Sequence, residues 1–440
     1  MSSARIVSPH STVNVLKTNP SALSELGRRT GPPPISWLMQ LALSQPRLIS
    51  LAAGFTDNES LPVEDVRALL GGLLRTRKSG RPALQYGSTQ GDPMLRQWTA
   101  RHVRRLDGGT GAGAADCSDR MIVTNGSQQM LYMAAEALCD TGDIVLVEDP
   151  TYFVFLGILQ SRGLRARAVR MGVDGLDLAH LEKVLESLRK RGELRRVKML
   201  YLVSYFQNPT GVTTSFEKKS GALKLLRKYE EIAGHRIYLL EDAAYRELRF
   251  RGRDVKSALA VGGGTDRVIY AGTYSKPFAT GARVGFGILP EPVFTAVLRI
   301  KGNHDFGTSN LLQQLLARAL ASGRYERHVG RLGRRYVRKA LIMSQALKGN
   351  FPPDIEWQEP EGGLYFWAKL PRDIRSGTKS KLFKAALANR VLYVPGGLCY
   401  ADDPARQKPD REMRLSFGSG TEEDIREGIK RLGRTLRSLR

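Results

Sequence analysis

The stretch MLYLVSYFQNPTGVTTSFEKKSGALKLLRKYEEIAGHRIYLLED, residues 199–242, decides the fold. Residues 199–203 and 237–240 are nearly unbroken apolar runs, and 216–232 between them carries a helical pattern. A strand that is apolar on both sides must be covered on both, as in parallel sheets. The alternation continues outward. Residues 121–124, 144–147, 166–169, 268–271 and 284–288 read as strands, and 128–138 and 176–189 as helices. This order predicts an α/β fold, a mostly parallel central sheet flanked by helices.

Beyond residue 310 the pattern changes. Residues 311–347 form a long basic helical run that reads as a connector. After it, 363–368, 391–394 and 413–417 read as strands, and 379–389 and the run from Glu422 as helices, which makes a smaller α+β domain. The first 34 residues are polar, rich in Pro, Ser and Thr, and end in Gly31-Pro-Pro-Pro34. They read as a flexible arm. The expected division is an arm over 1–34, a segment over 35–80 whose lid helix joins the small domain, a large domain over 81–325 and a small domain over 326–440.

The 440 residues, 42% hydrophobic, suffice for two cores. No window approaches the roughly 18 apolar residues of a membrane span. The first 20 residues lack the apolar run of a secretory signal. Three scattered cysteines without a CxxC pair predict reduced thiols in a cytoplasmic protein. The six histidines show no metal spacing, so no metal is expected. The net charge of +25 is concentrated in part in residues 331–339 and 426–440. Such a surface would suit nucleic acid or acidic lipid. No zinc finger, aromatic RNA-binding motif or basic zipper accompanies it, so solvated arginine-rich helix faces are expected, without a nucleic-acid or membrane partner.

In open α/β sheets ligands sit beyond the carboxyl ends of the strands. Thr124-Asn-Gly-Ser-Gln128 links a strand to a helix there, and the amides of Ser127 and Gln128 suit a phosphate, although many such turns are only turns. Asp242 ends a strand, where a carboxylate could hold a protonated pyridine or simply cap a helix. Asn208, before Pro-Thr-Gly, has the turn as its plainer reading. Thr273, Ser275 and Arg283 would add phosphate donors beside Lys276. A buried lysine near cations loses proton affinity and becomes a nucleophile and base; a lone lysine is otherwise a surface residue.

Read in order, Leu84-Gln-Tyr-Gly-Ser-Thr-Gln-Gly91, Gly126-Ser-Gln128, Asp149-Pro-Thr-Tyr152, Asn208-Pro-Thr-Gly211, Asp242-Ala-Ala-Tyr245, Thr273-Tyr-Ser-Lys276, Arg283 and Arg414-Leu-Ser-Phe417 resemble the signatures of fold-type I, class I/II aminotransferases. The branch of 2-aminoadipate and aromatic or branched-chain enzymes is the most similar, over roughly residues 35 to 435. The resemblance implies pyridoxal 5'-phosphate as cofactor, with an L-amino acid and a 2-oxo acid as substrates. It implies that Lys276 carries the cofactor and moves the proton, and that Asp242 pairs with the ring nitrogen. Tyr245 and Asn208 would hold the ring hydroxyl oxygen and Tyr152 would stack on the ring. Ser127, Gln128, Ser275 and Arg283, with Thr273, would hold the phosphate, and Arg414 the substrate α-carboxylate. Tyr86 would reach the phosphate of a neighbouring subunit, which implies a homodimer with shared sites.

The departures bear on the substrate. The family's Gly-Gly-Leu-Pro appears as Ala53-Gly54-Phe55-Thr56, with Gly54 kept for substrate contact, and the loop 279–281 reads Ala-Thr-Gly without the usual proline. Trp37 falls where aminoadipate enzymes place an arginine for a distal carboxylate. Trp37 and Phe55 therefore point to an apolar or aromatic pocket, unless both only pack the lid helix. The same constellation would also serve β-elimination, decarboxylation or a synthase reaction. An aminotransferase-like regulator would need a DNA-binding module of roughly 60–70 residues ahead of these motifs, where only about 34 residues stand.

Overall fold

The computed structural model describes residues 22–45, 47–109 and 117–439. In chain order its strands are β1 (Ile49–Ser50), β2 (Met121–Thr124), β3 (Ile144–Asp149), β4 (Arg165–Gly172), β5 (Gly175–Leu176), β6 (Val197–Val203), β7 (Tyr238–Asp242), β8 (Val268–Thr273), β9 (Gly285–Ile288), β10 (Glu356–Trp357), β11 (Tyr365–Lys369), β12 (Val391–Leu392), β13 (Val394–Pro395) and β14 (Glu412–Ser416). Strands β2 to β9 form one sheet in the order β2-β9-β8-β7-β6-β3-β4-β5. Strands β3, β4, β6, β7 and β8 run parallel. Their apolar runs explain this, because β7 and β8 are buried throughout and β3 and β6 almost so. All seven strands expected from the apolar runs are present, and the α/β class holds.

Direction matters more than count. The carboxyl ends of β2, β3, β6, β7 and β8 share one edge of the sheet. Strand β9 runs antiparallel to both its neighbours, so its amino end meets them at that edge.

The helix Arg324–Asn350 leads to a second sheet in the order β10-β11-β14-β13. Strand β1 pairs in parallel with β12, Ile49 against Val391, which seats the N-terminal segment on the small unit. The Leu51 carbonyl also accepts from the Ser416 amide at 2.7 Å.

Some elements differ from expectation. The run 311–347 is two helices, Asn310–Ala321 and Arg324–Asn350, parted at Gly323, whose φ of 67° breaks the helical path. The strand expected over 391–394 divides between two sheets. Of the expected arm, residues 1–21 lie outside the described ones. The rest is not free chain: Ser24 caps the helix Glu25–Arg29, and Gln160 bonds the Arg29 carbonyl and the Gly31 amide. Among the described residues no helix is long and apolar enough to cross a membrane, and no cluster of His, Cys, Asp and Glu could hold a metal. The thiols Cys139 and Cys399 are buried and free.

On β7, Glu241 points away from the edge residue Asp242, into the layer beneath. Glu241 and Lys219 are both fully buried, 3.0 Å apart. Lys219 also donates to the Lys256 carbonyl at 2.9 Å, and Glu241 accepts the Ala258 amide at 2.8 Å. Removing one partner strands the other charge, which typically costs about 3–5 kcal/mol. Lys219→Met should destabilise the chain by about that much in guanidinium unfolding, and the double variant Lys219→Met/Glu241→Leu should recover most of the loss.

Candidate active site

A cavity of about 550 Å³ opens at the shared strand edge. Its wall takes residues from the large unit, from the N-terminal segment (Ile35, Met39, Gly54, Phe55) and from the small unit (Tyr365, Arg414). Lys276, Arg283 and Arg414 line it with a single carboxylate, Asp242. The cavity is built for anions.

One end is a cradle of donors. The helix Ser127–Leu138 begins at Gly126, and no side chain caps it, so its first amides face the cavity. Gly126 has φ 74°, and a Cβ there would lie 2.8 Å from the Arg283 guanidinium. Across from it, a Cβ on Gly285 would lie 2.5 Å from the backbone of Gly126 and Ser127. These two glycines let β9 approach the β2 turn closely enough to bring Arg283 beside Ser127. Ser275 completes the cradle and accepts from Arg283 at 3.4 Å. Thr273 behaves differently. Its hydroxyl donates to the Val284 carbonyl and accepts the Ser275 amide, so it shapes the loop and its proton is committed.

Asp242 stands at the end of β7, 3% exposed. Burial pushes its carboxyl up to about 6, while the Tyr201 hydroxyl and the Ala244 amide pull it down. A cation against its free lone pairs would lower it further. Tyr152 lines the wall near it.

Lys276 lies between the cradle and Arg414. Its ammonium donates to the Gly54 carbonyl at 2.6 Å. Burial, then Arg414 and Arg283, bring its pKa down to about 8. The amine is therefore partly neutral at ordinary pH. The Gly54 loop is anchored by Asp57, which pairs with Lys339 and Arg335, each at 2.5 Å.

Arg414, 1% exposed, donates to the Asn208 side-chain oxygen and the Ala52 carbonyl, each at 2.7 Å. Its Nε is buried without a partner among the described residues. The guanidinium lies 4.2 Å over the Tyr365 ring. Asn208 donates to the Tyr245 hydroxyl at 3.3 Å, which sits 3.1 Å from that of Tyr365. The wall thus joins Arg414, Asn208, Tyr245 and Tyr365 in one network.

The structure brings Lys276, Asp242, Tyr245, Ser127, Gln128, Tyr152, Asn208, Thr273, Ser275, Arg283, Arg414, Gly54 and Phe55 to this cavity. Trp37, expected either to meet the substrate or only to pack the helix, is not among them. It stacks on Phe383 of the small unit at 5.7 Å, while Ile35 and Met39 of the same helix line the cavity. The short helix is turned from the expected register. Tyr86 is 83% exposed, against Phe306, and lies off the cavity of its own chain. Sequence reading passed over Tyr201, Tyr365, Ile35 and Met39. Strand parity could have singled out Tyr201, whose side chain shares a face with Asp242.

The arrangement fits pyridoxal phosphate on its own chemistry. It offers an anion cradle at a helix start, a buried carboxylate for a ring nitrogen, a lysine with lowered proton affinity and an arginine with an unspent N–H. Comparison with known proteins agrees. The profile of the family "Aminotransferase class I and II" matches residues 46–432. Aromatic-amino-acid aminotransferase 1 of Thermococcus litoralis is 35% identical over 392 residues, 89% of this chain and 88% of that one. Kynurenine aminotransferase of Pyrococcus horikoshii, solved with PMP, superposes with a TM-score of 0.85 at 30% identity, covering 95% of this chain and 97% of that one. Alpha-aminoadipate aminotransferase of Thermus thermophilus, complexed with N-(5'-phosphopyridoxyl)-L-leucine, gives 0.80 at 30% identity, over 95% and 98%. With the motifs in one cavity and the match running nearly end to end, the chain belongs to the class I and II aminotransferases.

Proposed function

We propose that this aminotransferase holds pyridoxal phosphate on Lys276 and moves the amino group of an apolar or aromatic L-amino acid to a 2-oxo acid. Family membership favours this over the elimination, decarboxylation, synthase and regulator readings. The observation that carries the reading is the meeting of Lys276, Asp242 and Arg414, from separate parts of the chain, in one cavity.

When bound, the cofactor supplies an aldehyde that condenses with amines and a protonated ring that draws electrons from Cα. The chain supplies the rest. Ser127, Gln128, Ser275 and Arg283 hold the phosphate, and Asp242 holds the ring nitrogen. Tyr152 covers the ring face, and Asn208 and Tyr245 hold the ring oxygen. Lys276 would be the base that takes up and returns the proton of the substrate Cα, and a positioned base of this kind is typically worth about 10²–10⁴-fold. Arg414 takes the substrate carboxylate with the fork that Asn208 aligns. A second copy of the chain would bring Tyr86 to the cradle, which accounts for so exposed an aromatic.

The far wall sets the side chain. Ile35, Met39, Phe55 and Val154 line it and offer no charge. A distal carboxylate would lose its hydration there without compensation, typically at a cost of several kcal/mol.

Borohydride reduction of the cofactor-loaded protein, followed by peptide mapping, should label Lys276, and Lys276→Ala should lose transamination; a label on another lysine overturns the assignment. The amine of the cofactor-free protein is depressed to about 8. Its rate of reaction with pyridoxal should therefore rise with pH through about 8 and then level. A rise continuing through about 10 would mark an ordinary lysine. In a donor screen read by the cofactor's absorbance change, aromatic and branched-chain amino acids should react faster than 2-aminoadipate; the reverse order would sink the apolar-pocket reading.

A further inference from the structure

We propose that Tyr201 is a positioning residue that sets where the proton lies between Asp242 and the ring nitrogen of the cofactor. The inference rests on the site being a pyridoxal phosphate site, and it concerns a residue given no role in the proposed reaction above.

Tyr201 lies on β6 beside β7, where Tyr201 registers with Leu240 and Val203 with Asp242. Alternation along paired strands puts Tyr201 and Asp242 on one face of the sheet, two positions apart along the strand. The tyrosine spans that offset, and its hydroxyl donates to Asp242 Oδ2 at 2.9 Å. Tyr201 is fully buried. Its ring stacks on Phe155, centroids 3.9 Å apart and 28° between planes, so the hydroxyl is held in place.

The bond has one direction. Among the described residues the Tyr201 hydroxyl has no hydrogen-bond partner besides Asp242. The hydroxyl proton therefore goes to Asp242, and the carboxyl is an acceptor on that oxygen. The Ala244 amide takes the other oxygen at 3.0 Å. No side-chain cation is paired with Asp242 among the described residues. One hydroxyl and one amide are thus the protein's whole support for a carboxylate at a site where burial favours the acid.

A single proton is shared between Asp242 and the ring nitrogen, and it lies on the nitrogen only while the carboxylate is the weaker base. Without the hydroxyl the carboxylate gains basicity, the proton moves to it, and the nitrogen is left neutral. A phenylalanine would fill the same space and keep the stack on Phe155. Space-filling and proton placement can therefore be separated.

The test loads the cofactor-free protein with pyridoxine 5'-phosphate labelled with ¹⁵N in the ring. This ligand has no aldehyde and does not depend on Lys276. In the wild type the ¹⁵N resonance should lie at the protonated position across neutral pH. In Tyr201→Phe it should move toward the neutral pyridine position, with affinity lower by about tenfold, as expected for a lost hydrogen bond to a charged group. The analogue with carbon in place of the ring nitrogen should bind both proteins equally. Should Tyr201→Phe fail to fold, Tyr201→Met carries the same test. An unmoved resonance, or an equal affinity loss for both ligands, overturns the inference and leaves Tyr201 as wall. Failure of the wild type to bind either ligand would instead overturn the reading of the site.

Discussion

A sheet buried on both faces can offer a ligand only its edge, because the polar backbone within it is spent on neighbouring strands and its side chains are enclosed by helices. In this chain that constraint gathers the chemistry. Asn208, Asp242 and Lys276 follow three neighbouring parallel strands, so their separation in sequence becomes adjacency in space. The reversed strand β9 adds the one group that parallel topology would place at the far edge. Arg283 precedes it and arrives beside Ser127 because Gly285 lets two backbones nearly touch.

The electrostatics follow from the same enclosure. Three cations facing one carboxylate in a cavity would be costly if they stayed apart from anions. Each adapts differently. Lys276 gives up part of its charge, and Arg414 spends two of its N–H groups on Asn208 and the Ala52 carbonyl. Arg283 leans on Ser275. A phosphate and a carboxylate would satisfy what remains. The overall charge of +25 is a separate matter: much of it sits in exposed helix faces such as Arg324–Asn350, where Arg331, Arg335 and Arg338 meet Asp65, Asp57 and Glu422.

The strands and most of the residues that line the cavity were legible in the sequence because they depend on short-range signals. An apolar run reports burial, and Asn208-Pro-Thr-Gly211 or Thr273-Tyr-Ser-Lys276 report a strand end. What escaped depends on rotation or register. Trp37 and Met39 lie two residues apart on one short helix, and only the turn of that helix decides which of them meets the cavity. Val391–Leu392 and Val394–Pro395 look like one strand, yet a single residue between them switches the sheet they join. Tyr201 was read only as one apolar residue of a buried run; its hydroxyl acquires meaning when β6 and β7 are in register. Thr273 was read by its type as a phosphate donor, but the structure commits its proton within the loop.

The division of the cavity wall separates chemistry from choice of substrate. Lys276 and Asp242, to which the proposed reaction gives the proton handling, stand at the edge of the large sheet, which is fixed by five parallel strands. Arg414, the proposed carboxylate ligand, comes from β14 of the small unit, which is latched to the large one by Arg406 on Asp149 and Arg167 on Asp403. The side-chain wall comes from neither sheet: Ile35 and Met39 lie on the helix Pro34–Ser44, and Phe55 on the loop held by Asp57. A change in that segment alters which side chain fits without moving Lys276, Asp242 or Arg414. In the proposed reaction, specificity is therefore carried by the part of the chain whose register is hardest to read from sequence, and the chemistry by the part that is easiest.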